Sequence, residues 1–200
     1  MKLFEQIFGI KKLQREPKAG DLLVVEPFLD EEYFERSVVL MLEHNTQNGC
    51  VGLILNHCSD IKLNQLIHKE KCTAPIPLYM GGPVGHNQLL FIHTLGDRFK
   101  NSLPIGNSGL YLGGDTDEVI KYINSSDYDE RCIKFFSGYC AWTAEQLRNE
   151  INEKTWVVTS PTDIMGMLSA RDKSYWNEIV ETLGEDYRIW SLCPPEASFN

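Results

Sequence analysis

"SVVLMLEHNTQNGCVGLILN", residues 37–56, sets two apolar runs on either side of a turn. The first, "SVVLMLEH", is too continuously apolar to leave one face in water and reads as a buried strand. "NTQNG" supplies turn chemistry, and Asn48-Gly49 offers the left-handed conformations that a tight connection needs. "CVGLILN" returns as the second strand of a β-hairpin, where Gly52 marks a bulge or the close approach of another backbone.

Working outward, "DLLVVEPF" is a further strand and "LDEEYFER" a short helix between it and the hairpin. Residues 1–19 read as an N-terminal arm, a short amphipathic helix (Leu3, Phe4, Ile7, Phe8) followed by a Pro/Lys/Gly joint, and 20–200 as a single domain. Downstream, "IKLNQLIHKE" puts Ile61, Leu63, Leu66 and Ile67 on roughly one helical face, and Pro75 and Pro77 stop anything beyond it. "PLYM" and "QLLFIHTL" are strands flanking the glycine loop. Thr116 is expected to cap "DEVIKYINS", while Thr143 and Gln146 have the spacing of a capping box. "RCIKFFSGY" and "WVVTS" read as strands, Ser160-Pro161 as a helix start, and "SYWNEIVETLG" as a last amphipathic helix ending at Gly184. Strands arrive in hairpin-like groups and helices are interspersed late. The fold class is therefore α+β with a mixed, largely antiparallel sheet, not a doubly wound one.

A chain of 200 residues, 42% hydrophobic and 24% charged, can build a core without disulfides or metal. Its net charge of -9 repels phosphate backbones and anionic lipid on average, so direct nucleic-acid binding is not expected. The basic stretch "KKLQREPK" holds Glu16 and reads as a solvated arm. Six scattered cysteines lack the paired spacing of a zinc module and read as free thiols. With neither an apolar leader block nor a run of spanning length, the expectation is a cytoplasmic protein without membrane association, metal or cofactor.

Candidate chemistry is sparse. "MGGPVGHN" could expose amides to an anion, but no helix follows it and no "GxxxxGK[ST]" or "GxGxxG" is present, so a turn is the competing reading. His86 and His93 fall on a strand without metal-ligand spacing, and His93 between apolar neighbours suits an interior histidine. His57, Cys58 and Asp60 in "NHCSD" are close in sequence, yet side chains adjacent on a strand diverge. Cys140 precedes a capped helix, and Trp142 stands at a strand-to-helix junction where a ligand could reach it.

In order along the chain, "F-x-R-S-V" at 34–38, the hairpin ending in Asn56, "GGPV" at 81–84 and "GY-x-x-W" with "QL-x-x-E" from Gly138 to Glu150 resemble the AlgH/YqgE family of bacterial proteins. The resemblance covers roughly residues 20–160. It implies a bent, bifurcated sheet forming a pseudo-barrel with helices packed around it, and it implies no established reaction. Members are often labelled transcriptional regulators. This sequence departs from the pattern after Asn56, where "HCSD" replaces a basic residue and proline. Packing alone explains Arg36, His44, Asn56, Trp142, Gln146 and Glu150 least, so the expected ligand cleft comprises Arg36, His44, Asn56, Gly81, Gly82, Pro83, Val84 and Trp142. The leading function is a regulatory module binding a small metabolite or a protein. The alternatives are a hydrolase-like enzyme using a histidine or cysteine in the same cleft, and a regulator acting on DNA directly.

Overall fold

The computed structural model describes residues 15–29, 31, 33–67 and 72–193. The expected helix around Leu3–Phe8 and the end of the one read at 61–70 lie outside them.

The hairpin forms as its sequence demands. Strand β2 (Val38–Asn45) runs antiparallel to β3 (Gly49–Ile54), closing at Asn45 opposite Gly49. Val38 to Met41 are fully buried. At Gly52 a Cβ would lie 2.6 Å from Val39 Cγ1 and 3.1 Å from the Leu40 carbonyl oxygen, and the β2–β3 register shifts beside it between Met41 and Glu43, so both the bulge and the close backbone approach read there are present. Strand β1 (Leu22–Val25) pairs with β2 on one edge and with β10 (Trp156–Thr159) on the other. The remaining strands are β4 (Cys58–Lys62), β5 (Pro77–Met80), β6 (Val84–His93), β7 (Leu103–Pro104), β8 (Tyr111–Leu112) and β9 (Ile133–Trp142). Among the described residues every strand pairing is antiparallel except β5 with β9, and the sheet curls into a half-barrel with helices packed around it.

Strand β9 is where the sheet forks. Its first half is held by β5 on one edge and β6 on the other, and its last three residues pair with β3. Side chains alternate along it, sending Phe136, Cys140 and Trp142 into the larger core and Ile133 and Phe135 into a smaller one. Helices α3 (Ala144–Asn152), α4 (Ile164–Ser169), α5 (Ser174–Thr182) and α6 (Arg188–Ser191) line the larger core, where Trp156, Trp176 and Trp190 are almost wholly enclosed. The short α1 (Leu63–Leu66) and α2 (Thr116–Ile123) cover the smaller one.

Four local readings change. Residues 33–36 form a turn, not a helix, with Arg36 in a left-handed conformation (φ 51°). Cys58–Lys62 is strand because β5 offers it a ladder, which leaves Ile61 about half exposed and shortens the helical stretch to α1. Asp115, not Thr116, caps α2, accepting the Glu118 amide. Asp163, not Ser160, caps α4 through the Gly166 amide; the carboxylate, one residue before the expected cap in α2 and three after it in α4, has the reach to the third helical amide. Thr143 caps α3 as read, although Gln146 turns its side chain to Glu150 instead of closing the box.

Candidate functional site

The eight residues expected to line one cleft are distributed over the molecule. Asn56 is buried and spent: it accepts the Val38 amide at 2.9 Å and donates to the carbonyls of Arg36 at 2.8 Å and Asp172 at 3.3 Å. Arg36, 5% exposed, lays its guanidinium over Trp176 and donates to Asn177 Oδ1 and to the Cys193 carbonyl. Trp142 sits opposite Cys50, at the far end of β3 from Asn56, which puts the two about 20 Å apart along the strand. Its ring packs on Phe34 and Trp156, and its indole N–H donates to Glu150 Oε2, which also accepts from the Trp156 indole. Gln146 donates to the other Glu150 oxygen, so the three motif residues Trp142, Gln146 and Glu150 tie α3 to the sheet.

The glycine loop is a crossing. Strands β5 and β6 lie on opposite edges of the same stretch of β9, so residues 81–83 pass over that strand. They do so at Gly138: a Cβ on Gly81 would stand 2.3 Å from the Gly138 oxygen, and one on Gly82 2.3 Å from the Tyr139 carbonyl carbon. The Gly81 amide donates to Ser137 O, and its carbonyl accepts from Ile54. Pro83 and Val84 emerge on the surface beyond the crossing. Nothing but hydrogen fits at the contact, which explains two glycines facing a third.

Besides His93 with Ser102 (3.1 Å), a close hydroxyl–imidazole pair that resembles a nucleophile and base is formed by Ser37 and His57, with Nε2 at 3.2 Å from Ser37 Oγ. The same Nε2 lies 3.2 Å from the Glu35 carbonyl, which demands a proton on that nitrogen and so opposes its use as a base toward Ser37. Ser37 is fully buried, out of reach of any substrate. Burial pushes the His57 pKa down, with Lys173 acting in the same direction. The pair therefore braces the 33–37 turn. His93 is likewise interior and neutral, its Nε2 donating to Gly113 O and its Nδ1 accepting from the Leu95 amide. Burial raises the Cys140 thiol far above its ordinary range. Among the described residues no group of three histidines, cysteines or carboxylates is placed to hold a metal ion.

What the fold does build is a groove of about 460 Å³ where three distant segments meet: Lys18–Asp21, Gly106–Ser108 and Ser160–Ile164. Two glycines let these backbones touch, since a Cβ on Gly106 would fall 2.4 Å from Ala19 O and one on Gly20 2.9 Å from Ser108 Cβ. One wall is polar and locked. The Asp21 carboxylate, 2% exposed, is gripped by both Arg15 terminal nitrogens, the Lys18 amide at 2.8 Å and Ser160 Oγ at 3.0 Å. Burial alone would raise its pKa, but the Arg15 contact and the other donors outweigh it and hold the carboxyl below its usual range. Ser108 is tied to the Ile105 carbonyl. Lys18 and Asn107 line the groove with exposed side chains, and Ala19, Pro161 and Ile164 give it apolar surface.

None of the eight expected residues lines this groove, and one lines its neighbour. His44 borders a cavity of about 130 Å³ with Arg15, Arg148 and Ile151, so Arg15 stands between the two spaces. No sequence signal marked Asp21, Asn107 or Ser160 as site residues, because they lie in separate connecting segments that only the tertiary fold brings together.

Residues 22–188 match the family model described as AlgH-like. A UPF0301 protein of Bacteroides thetaiotaomicron is 40% identical over the full length of both chains, and one of Parabacteroides distasonis 39%. Among solved structures, a protein of Corynebacterium diphtheriae superposes with a TM-score of 0.72 at 23% identity, covering 95% of this chain and 99% of its own. The AlgH protein of Pseudomonas aeruginosa gives 0.68 at 22%, covering 93% and 100%. These two likenesses concern the fold.

Proposed function

The chain belongs to the AlgH-like family, and on that footing we propose that it is a small-molecule-binding regulatory module whose ligand, a small organic anion, occupies the groove between Lys18–Asp21, Gly106–Ser108 and Ser160–Ile164. The observation that carries this reading is the combination of good shape with spent chemistry. The volume falls in the range that holds metabolites. Its carboxylate is already neutralised by Arg15, and the Ser108 and Ser160 hydroxyls already donate within the protein. A base or nucleophile would have to be torn from that network, whereas the Lys18 ammonium has no ion-pair partner among the described residues and can meet an anion at once.

A metabolite library screened by thermal shift tests it. A ligand at a hundred times its Kd stabilises by about 2.7 kcal/mol, which at about 2–4 °C per kcal/mol is a rise of about 5–10 °C. Asn107→Trp, an exposed substitution at the groove, is expected to abolish the shift of anionic hits while leaving the unliganded melting point in place. Hits that survive Asn107→Trp and vanish in His44→Ala would move the site to the neighbouring cavity. Full shifts in both variants would refute the assignment.

A further inference from the structure

Lys134 breaks the pattern of the strand that carries it. In "IKFFSGYCAW" it occupies the register position whose side chain faces the larger core, two before Phe136, where an apolar residue belongs. It is 2% exposed, and among the described residues no carboxylate lies within ion-pair distance of it. Its Nζ is held instead by the Ala170 carbonyl and by the face of the Tyr79 ring, 3.8 Å from the centroid. A buried ammonium without an anionic partner is costly, and a methionine or leucine would pack there more cheaply. Desolvation accordingly drives its pKa well below that of an ordinary lysine; the nearby Cys58 thiol works against this and Arg171 with it.

The amine is enclosed but not sealed. It borders a cavity of about 70 Å³ together with Tyr79, Tyr128, Glu130 and Arg171, which is room for roughly five to seven water-sized groups. Arg171 is half exposed, and it is paired with Glu130 at 3.0 Å in a surface ion pair that an incoming carboxylate can replace. An amine inside and a guanidinium beside it, in a space for about six heavy atoms, match one class of small molecule.

We infer that Lys134 is a carbonyl-reactive amine that forms a reversible imine with a small 2-oxo acid, whose carboxylate is received by Arg171. The Nζ lone pair attacks the keto carbon to form the C–N bond. One amine proton passes to the oxygen to give the carbinolamine, and the second leaves with that hydroxyl as water as the C–O bond breaks and the C=N bond forms. The step is a condensation and consumes no oxidant or reductant. It is separate from the groove at Asp21 and stands whether or not that groove binds a ligand.

The full-length protein is incubated with pyruvate and sodium cyanoborohydride at pH 7, and the adducts are read by intact mass and peptide mapping. An ordinary surface lysine, with a pKa of about 10.4, is neutral in only about one molecule in 2,500 at this pH. One carboxyethyl group concentrated on Lys134, at least tenfold above any other lysine, is expected. Lys134→Met removes it. Lys134→Arg keeps a cation in the site and also removes it, covering the case in which the methionine variant fails to fold. Because Arg171 also helps to keep the amine neutral, Arg171→Gln lowers labelling by either reagent, and it is expected to cut labelling by pyruvate about tenfold more than labelling by methyl pyruvate, which lacks the anionic group. Adducts spread evenly over the lysines, or a Lys134 left unmodified, would overturn the proposal. Pyruvate labelling cut no more than methyl pyruvate labelling in Arg171→Gln would overturn the assignment to a 2-oxo acid.

Discussion

Gly81→Ala is the sharpest test of how the fold is closed. Gly81 does not have a positive φ, so alanine brings no backbone strain of its own and the whole effect comes from contact. The new methyl would lie 2.3 Å from the Gly138 oxygen and 2.9 Å from Leu53 Cδ2, against ordinary contact from 3.4 Å upward. The two strands must therefore part by about 1 Å, and a backbone oxygen cannot rotate aside as a side chain does. Overpacking of this kind costs about 1–3 kcal/mol. Parting also weakens the bonds from Gly81 N to Ser137 O and from Ile54 N to Gly81 O, both 2.9 Å long, at about 1 kcal/mol each. The sum is about 3–5 kcal/mol, and for a chain of this size the melting temperature falls by about 6–20 °C. Gly113→Ala is the control: φ is +67° there but nothing lies within 4 Å of the added carbon. It bears only the left-handed penalty of about 1–2 kcal/mol. Melting followed by circular dichroism, with urea titration for the free energies, compares the two. A Gly81→Ala protein that melts within about 3 °C of the parent, or above Gly113→Ala, would show that the crossing is not what demands glycine.

Two further outcomes follow from the same geometry. Asp21→Asn removes the carboxylate from the Arg15, Lys18 and Ser160 network and is expected to cost about 2–3 kcal/mol at pH 7. Because the folded-state pKa of Asp21 is depressed, this contribution is fully present above the unfolded value of about 3.9 and disappears as pH falls through the folded one. The stability difference between parent and variant should shrink in acid, and a difference independent of pH would refute the ion pair as its source. Native thiol titration should modify Cys58 first, since it is exposed while Cys50, Cys72 and Cys140 are buried. Cys58→Ser should remove the fast phase, and Cys140 should react only on unfolding, when desolvation no longer raises its pKa.

The local half of this protein was written in its sequence. Continuous apolar runs bounded by Asn-Gly fix the β2–β3 hairpin, and Thr143 sets the start of α3, because a turn or a cap is settled by atoms a few residues apart. The order of motifs was enough to indicate the family and with it the curled sheet. Even so, an Asp within three residues of the expected Thr or Ser was enough to displace two caps, and a partner strand drew Ile61 and Lys62, read as the start of a helix, into sheet. The motif residues looked like a site because they were polar, aromatic or glycine. Only the tertiary structure showed that Asn56 is consumed by three backbone groups and that the glycines are a crossing over β9. The groove and the Lys134 cavity were invisible for the same physical reason. Each is made by segments that meet only after folding, residues 18–21 with 106–108 and 160–164 in one case, β5 and β9 with Arg171 in the other. A lysine inside "IKFF" has the same letters whether it faces water or a buried ring, and burial, which decides its chemistry, is a property of everything packed around it.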